Sequence, residues 1–399
     1  MVKQTLVALC VLALACGDDS TGTPDTGPGP GTDADVEVDA GEVDIRLATV
    51  RSLGQDVILP TLQEFVTAAT ALESATAAWA ADPTSETRAA AQEGWQDAMD
   101  VWQQLEVMQV GPAGRMDITT AGEDLRDEIY SWPEGNPCVV DQEIVSQEYA
   151  NVDAFTASRV NARGLDALEY LIFYDGADNA CASRSQINRD GLWAEVSDLD
   201  ARRAAYSATA ATLVRRAAED LVGRWESAFL NQLMTAGQGS DVFSATQDAL
   251  NAISDAMFYL DKESKDMKLA EPAGISDLCS SEACPELRES LWANYSISNL
   301  RNNVIGFRRL FDGPEGGTGF RALLEDVGAG DLATRFGDAI AAAEAALEAV
   351  SNIPDALDGT PDGLQGQFDA LKAVTDILKS EFITVLDLQL PRRAETDND

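Results

Sequence analysis

Apolar side chains recur at helical spacing through most of this chain. Leu62, Phe65, Ala69, Leu72 and Trp79 step by three and four residues or their sum, so they share one face of a helix that closes before Asp82 and Pro83. Ala91, Trp95, Ala98, Trp102 and Leu105 repeat the pattern until Gly111 and Pro112 stop it. The short Asp82 turn between the two predicts an antiparallel pair. A third long helix is expected over 196–230, turning Leu199, Tyr206, Leu213, Ala217 and Leu221 inward, with more over 242–269, 285–311, 332–350 and 364–386. Trp79, Trp95 and Trp102 read as core, although a ligand cleft is the competing use. Period-two alternation never lasts more than a few residues. The class is therefore all-α, with two helical-bundle halves of long antiparallel helices over 45–236 and 241–399, meeting at a joint near 237–240. Between 111 and 164 the spacing loosens into turns at Gly114, Gly122, Trp132-Pro133, Gly135 and Pro137. Such an excursion either caps a bundle end or builds a site. The Gly-rich stretch 313–319 reads as a loop.

The amino-terminal end has a different character. One basic residue, Lys3, precedes an apolar run over 6–15 and then Cys16. A helix of that length rises about 15 Å, roughly half the hydrocarbon core, which marks residues 1–15 as a signal peptide and not a membrane span. The ending Ala13-Leu14-Ala15-Cys16 resembles the lipobox of bacterial lipoproteins, with Ala13 where Leu is usual. That resemblance implies a lipid on Cys16; the competing reading is a secreted protein cut near Ala15. From 17 to 44 the chain carries nine acids and no Lys or Arg. Too few apolar side chains remain to offset the entropy of ordering, so 16–44 is expected to be a lipidated Cys followed by a disordered acidic tether.

Charge and cysteine usage narrow the function classes. The chain holds 399 residues with a formal net charge of -40 and no histidine. Nucleic acid is excluded as a partner, because phosphate binding needs clustered Lys and Arg. The hydrophobic fraction of 45% permits a sizeable core. Beyond Cys16, an exported chain keeps Cys138, Cys181, Cys279 and Cys284, an even count that suggests two disulfides. Cys138 with Cys181 and Cys279 with Cys284 are the simplest of the three possible pairings. A zinc site competes weakly, since no second Cys pair at ribbon spacing and no imidazole accompany Cys279 and Cys284. Neither a nucleophile elbow nor a phosphate-binding Gly-rich loop occurs, and a hydrolytic triad would lack its imidazole.

The segment 163–173, Arg-Gly-Leu-Asp-Ala-Leu-Glu-Tyr-Leu-Ile-Phe, carries the most chemistry. Leu165, Leu168 and Ile172 face a core, while Asp166 and Glu169, one turn apart, share a neighbouring face. Two carboxylates so placed repel unless a cation, an arginine such as Arg163, or a retained proton lies between them. A solvated face or an internal ion pair is the plain alternative.

Here the chain resembles the imelysin family. Members carry a Gly-x-His-x-x-Glu signature running into Tyr-Leu-Leu-Phe, and this chain has Gly164-Leu-Asp-Ala-Leu-Glu169 followed by Tyr170-Leu-Ile-Phe173. Trp95, Trp102, Glu106 and Gly111-Pro112 are similar to the family's Trp-rich helix, and Ile129-Tyr-Ser-Trp132-Pro133 to its Ile-x-x-Trp-Pro element. Lys268-Leu269 with Pro272, then Glu289-Ser290, Ser296, Leu300, Asn303 and Gly306, are similar to segments of its second half. The resemblance covers about 45–399.

The resemblance implies an outer-membrane or surface-attached helical lipoprotein facing the periplasm or the cell surface, often iron-regulated, with a metallopeptidase label resting on the motif His and Glu. This chain has Asp166 where the family has His. A zinc peptidase site of the usual kind cannot be assembled without imidazole, whereas an oxygen-only set suits a hard cation such as Ca2+, Mg2+ or Fe3+. By analogy with the family's motif positions, Glu106, Asp166, Glu169, Glu289 and Ser290 are the metal or ligand-binding candidates, and the acids among them are expected near one another. No catalytic residue is assigned. The expected function is a non-catalytic binding or accessory protein of the cell envelope, in iron or other metal handling, with membrane, metal ion or envelope protein as partners. A metallopeptidase and a surface partner-docking protein are the alternatives.

Overall fold

Local capping explains where the helices begin. The Asp44 carboxylate accepts from the amides of Arg46 and Leu47 and starts α1 (Ile45–Ser52). A π-helical stretch, Leu53–Ile58, continues into α2 (Leu59–Ala81). Thr84 and Thr87 cap each other's backbone at the start of α3 (Ser85–Glu106). The chain then runs through turns and short helices, the longest of them Pro137–Ser146, before α4 (Leu165–Phe173) and α5 (Leu199–Arg224). α2 packs on both α3 and α5, and α4 lies against α3 and α5. These are the residues of a computed structural model that describes positions 44–359 and 363–391. The expected signal peptide, the lipid attachment at Cys16 and the tether up to residue 43 lie outside the described residues.

The second group of helices follows a turn in which Gly237 and Gly239 take positive φ. It contains α6 (Thr246–Met257), an eleven-residue π-helix (Leu260–Ala270), α7 (Ser296–Asp312), α8 (Gly330–Glu348) and α9 (Gln365–Ile377). α7 packs on α8, α8 on α9, and α9 on the π-helix. The groups meet where α7 crosses α3. Gly306 permits that crossing, because a Cβ there would lie 2.4 Å from the carbonyl oxygen of Gln104. Among the described residues there is no strand, as the all-α class requires. Trp79, Trp95 and Trp102 are buried in the core.

Both expected disulfides form, Cys138 to Cys181 and Cys279 to Cys284. The first ties the helix Pro137–Ser146 to the loop that follows α4. Three expectations need correction. The helix expected over 285–311 begins only at Ser296. Ser290 and Asn294 hold positive φ values of 49° and 54°, which a helix cannot continue through, so Glu289 and Ser290 sit in a turn. The helix expected over 242–269 starts at Thr246 and changes to π geometry at Leu260. On α5, Ala217 is only half-buried and Ala218 takes the core position beside it.

Candidate functional site

Gly164 fixes the entry to α4. Its φ of 96° is open to glycine, and a Cβ would press on the carbonyl oxygen of Ile129 at 2.9 Å and on Asp166 Oδ1 at 3.0 Å. Leu165, Leu168, Leu171 and Ile172 are buried, and Trp95 Nε1 donates to the carbonyl of Leu165 at 2.8 Å. With the apolar face locked, Asp166 and Glu169 turn towards the loop after Ile129 and the turn around Arg288.

Asp166 accepts from the Ser131 hydroxyl at 2.8 Å and, more weakly, from the Ser131 amide at 3.4 Å. Burial pushes its carboxyl up to about 6, against the pull of those Ser131 hydrogen bonds. Glu169 is almost fully buried, and its Oε1 accepts from the amides of Trp292 and Ala293 at 2.7 and 3.0 Å. Burial is the main force raising its carboxyl to about 8, with the nearby charges of Glu289 and Asp166 adding to it. Near neutral pH, Glu169 is therefore largely protonated. The two side chains line a cleft of about 350 Å³ together with Trp132, Pro133, Tyr170, Arg288, Ser290 and Trp292, among others.

The other candidates are placed differently. Glu106, at the end of α3, is fully buried and accepts from Trp102 Nε1 at 2.7 Å and Gln109 Nε2 at 2.5 Å, with Arg126 3.3 Å away. Glu289 is also fully buried; its Oε1 meets Lys268 Nζ at 3.1 Å, Tyr130 at 2.8 Å and Gln103 at 3.0 Å. Its Oε2 has no hydrogen-bond partner among the described residues. Ser290 reaches the cleft, but its hydroxyl already accepts from Asn299 at 2.8 Å. Gly111 and Pro112 form a turn beneath the Phe229 ring, and Trp132 stands at the cleft with Lys268 Nζ 5.5 Å from its ring.

Glu289 and Asp166 thus lie close enough to Glu169 to act on its charge, while Glu106 is taken up by Arg126. Among the described residues, no three acids or thiols are placed to hold one ion. Two carboxylates, one of them protonated and both hydrogen-bonded to protein, do not supply the oxygen shell that a hard cation needs. Of the three ways to relieve the pair, Arg163 is not the one used, because it is committed to Glu128 and the carbonyl of Ser158. Burial and proton retention relieve it instead. Arg288 and Trp292 were not singled out by sequence reasoning. Their only signal was adjacency to the Glu289-Ser290 motif.

A family comparison matches residues 58–381 to the imelysin family model. The chain belongs to the imelysin family. Among curated proteins, this imelysin is similar to iron-regulated protein A of Synechococcus elongatus (strain ATCC 33912 / PCC 7942 / FACHB-805), at 23% identity over 271 residues. That match spans 66% of this chain and 64% of the relative, so it falls short of two thirds of the relative's length. Among solved structures, an imelysin-like protein from Psychrobacter arcticum 273-4 superposes with a TM-score of 0.66 at 15% identity, covering 87% of this chain and 98% of its own. A protein described as an iron-regulated protein A precursor from Parabacteroides distasonis ATCC 8503 gives 0.66 at 18% identity, covering 87% and 95%. At these identities the two structures bear on the fold alone.

Proposed function

We propose that this imelysin is a non-catalytic binding or accessory protein of the cell envelope, held on the outer membrane by a lipid on Cys16, with the Asp166 and Glu169 cleft as its binding site. The observation that carries this reading is the state of Glu169, a nearly buried carboxyl held by two backbone amides from the turn at 292–293. A peptidase of the metal-dependent type needs a bound water made acidic by the ion, and the donor set at this cleft is unsuited to hold that ion. A preformed concave site with few polar groups and aromatic walls is the usual form of a small-ligand site. The name of the Synechococcus relative supports placing the protein in the setting of iron handling.

The test combines two measurements on the full exported chain. Incubation with denatured protein substrates is expected to give no cleavage, with or without chelator. Tryptophan fluorescence during titration with a panel of small cations, anions and sugars is expected to report binding that Glu169→Gln removes. Chelator-sensitive proteolysis that Glu169→Gln abolishes would overturn the reading. Mass spectrometry of the mature amino terminus is expected to find a lipidated Cys16, and an unmodified residue there would remove the membrane attachment.

A further inference from the structure

We infer that the Asp166 and Glu169 cleft binds a small organic cation, a protonated amine, in place of a bare metal ion; this rests on the reading of the cleft as a binding site. Glu169 is 5% exposed, and with Oε1 held by the amides of Trp292 and Ala293 its Oε2 accepts no hydrogen bond from the described residues. A nearly buried acceptor is thus left at the cleft wall. Asp166, Glu271 and Glu286 line the same cleft against one cationic side chain, Arg288. The Arg288 guanidinium makes no hydrogen bond to Glu169 and acts on it through space: Nη1 donates to the carbonyl of Pro285 at 2.6 Å, Nη2 to that of Leu291 at 3.1 Å, and Nε has no hydrogen-bond partner among the described residues. The cleft therefore carries four acid groups against one guanidinium, and a cation entering it would compete with the proton on Glu169.

The walls select the kind of cation. Trp132, Tyr170 and Trp292 line the cleft, and the Trp292 ring lies 5.1 Å from that of Tyr170. Aromatic faces attract an ammonium but give no lone pairs to a metal. The chain already holds one ammonium in this way, with Lys268 Nζ 5.5 Å from Trp132 and its charge met by Glu289 at 3.1 Å. A calcium-like ion would need about six to eight oxygens at close range. An ammonium needs one or two acceptors and an aromatic wall, and a cleft of about 350 Å³ accommodates a molecule of that size.

Binding should move a proton. Glu169 faces Asp166 on its own helix, Glu289 and Tyr130 behind it, and Arg288 across the cleft. Burial together with the neighbouring carboxylates keeps it protonated up to about 8. An arriving ammonium favours the ionised carboxylate, so the carboxyl O–H bond breaks, its electron pair stays on oxygen, and the proton passes to solvent. Affinity therefore rises with pH up to about 8 and then levels off until the amine itself loses its proton.

Isothermal titration calorimetry of the intact protein with putrescine, in two buffers of different ionisation enthalpy, tests this. Ca2+, ferric citrate and acetate serve as comparisons. Putrescine is expected to bind at one site with proton release at neutral pH, and both Glu169→Gln and Trp292→Leu are expected to weaken it about tenfold or more. Glu169→Gln is suited to the task because it mimics the protonated side chain and keeps the oxygen that Trp292 and Ala293 hold. Failure of putrescine to bind the folded wild type, or binding that Glu169→Gln leaves unchanged, would overturn the inference. If Ca2+ or acetate binds instead and Glu169→Gln abolishes it, the amine assignment falls while the cleft remains a binding site. If no probe binds in a Glu169-dependent way, both readings fall.

Discussion

Lys268 Nζ lies 3.1 Å from Glu289 Oε1, and both side chains are completely buried. Gln103 and Asn303 complete the cage around the ammonium at 2.6 and 3.1 Å. Because these residues come from α3, the π-helix, α7 and the turn before it, the pair joins elements of both helix groups. Lys268→Met leaves the Glu289 carboxylate buried without its counter-charge and is expected to cost about 3–5 kcal/mol. The double variant with Glu289→Gln should recover much of that loss in urea denaturation. A double variant as unstable as Lys268→Met would contradict the pairing.

The acids of the cleft make stability depend on pH. Burial raises Glu169 from 4.5 to about 8 and Asp166 from 3.8 to about 6, so the folded chain keeps these protons to higher pH than the unfolded chain does. Stability from these groups is full below the unfolded values and is lost as pH rises through the folded ones. The melting temperature is expected to fall between about pH 5 and about pH 8.5, and to fall less in Glu169→Gln, which should be the more stable protein at the alkaline end. Equal slopes in the two proteins would contradict the assignment.

The two disulfides close loops of unequal length, with sequence separations of 43 and 5. Chain entropy predicts that replacing Cys138 and Cys181 with Ser costs about 4 kcal/mol, and replacing Cys279 and Cys284 about 2 kcal/mol. Denaturant midpoints of the two variants under non-reducing conditions check the order.

Two glycines on long helices should respond in opposite directions. At Gly306 an added Cβ meets the Gln104 carbonyl at 2.4 Å, so Gly306→Ala is expected to destabilise by about 1–3 kcal/mol as α7 is pushed off α3. At Gly223, on α5, no atom of the described residues outside the helix's own neighbouring turns lies within 4 Å of the added Cβ, and Gly223→Ala should stabilise by about 0.5–1 kcal/mol. Thermal melts of the two variants decide this.

The contrast between those glycines shows what the sequence could and could not carry. Periodicity located α2, α3 and α8 to within a few residues, because an amphipathic face writes its own spacing into the chain, whereas the helices expected over 196–230 and 364–386 change to π geometry at Trp225 and Leu378. The overrun at 285–311 arose because Glu289, Ser290 and Asn294 look compatible with a helix, while their backbone is set by the cage around Lys268 and by the disulfide ring before it. Asp166 and Glu169 were visible through their motif. A retained proton was one of the ways their repulsion could be relieved, but the sequence could not choose it, since it comes from burial, with Trp292 and the 132–137 stretch lining the cleft from positions distant in sequence. For the same reason the sequence leaves Arg163 open as one of the alternatives. Its commitment to Glu128 follows only from the folded path of the loop.

The π-helix Leu260–Ala270 leaves this region with little tolerance for insertions or deletions. Its hydrogen bonds reach five residues back, so each turn accommodates more chain than an α-helical turn does. Losing one residue between Met257 and Lys268 while the segment keeps its wider turns would rotate Lys268 around the axis, away from Glu289. Surface helices absorb such a change by sliding or fraying at an end. Here both ends are anchored, by α6 on one side and by the Cys279 to Cys284 ring on the other. Single-residue deletions within 260–267 should therefore be more harmful than most substitutions at the same positions, because the number of residues sets the angular position of the buried ammonium.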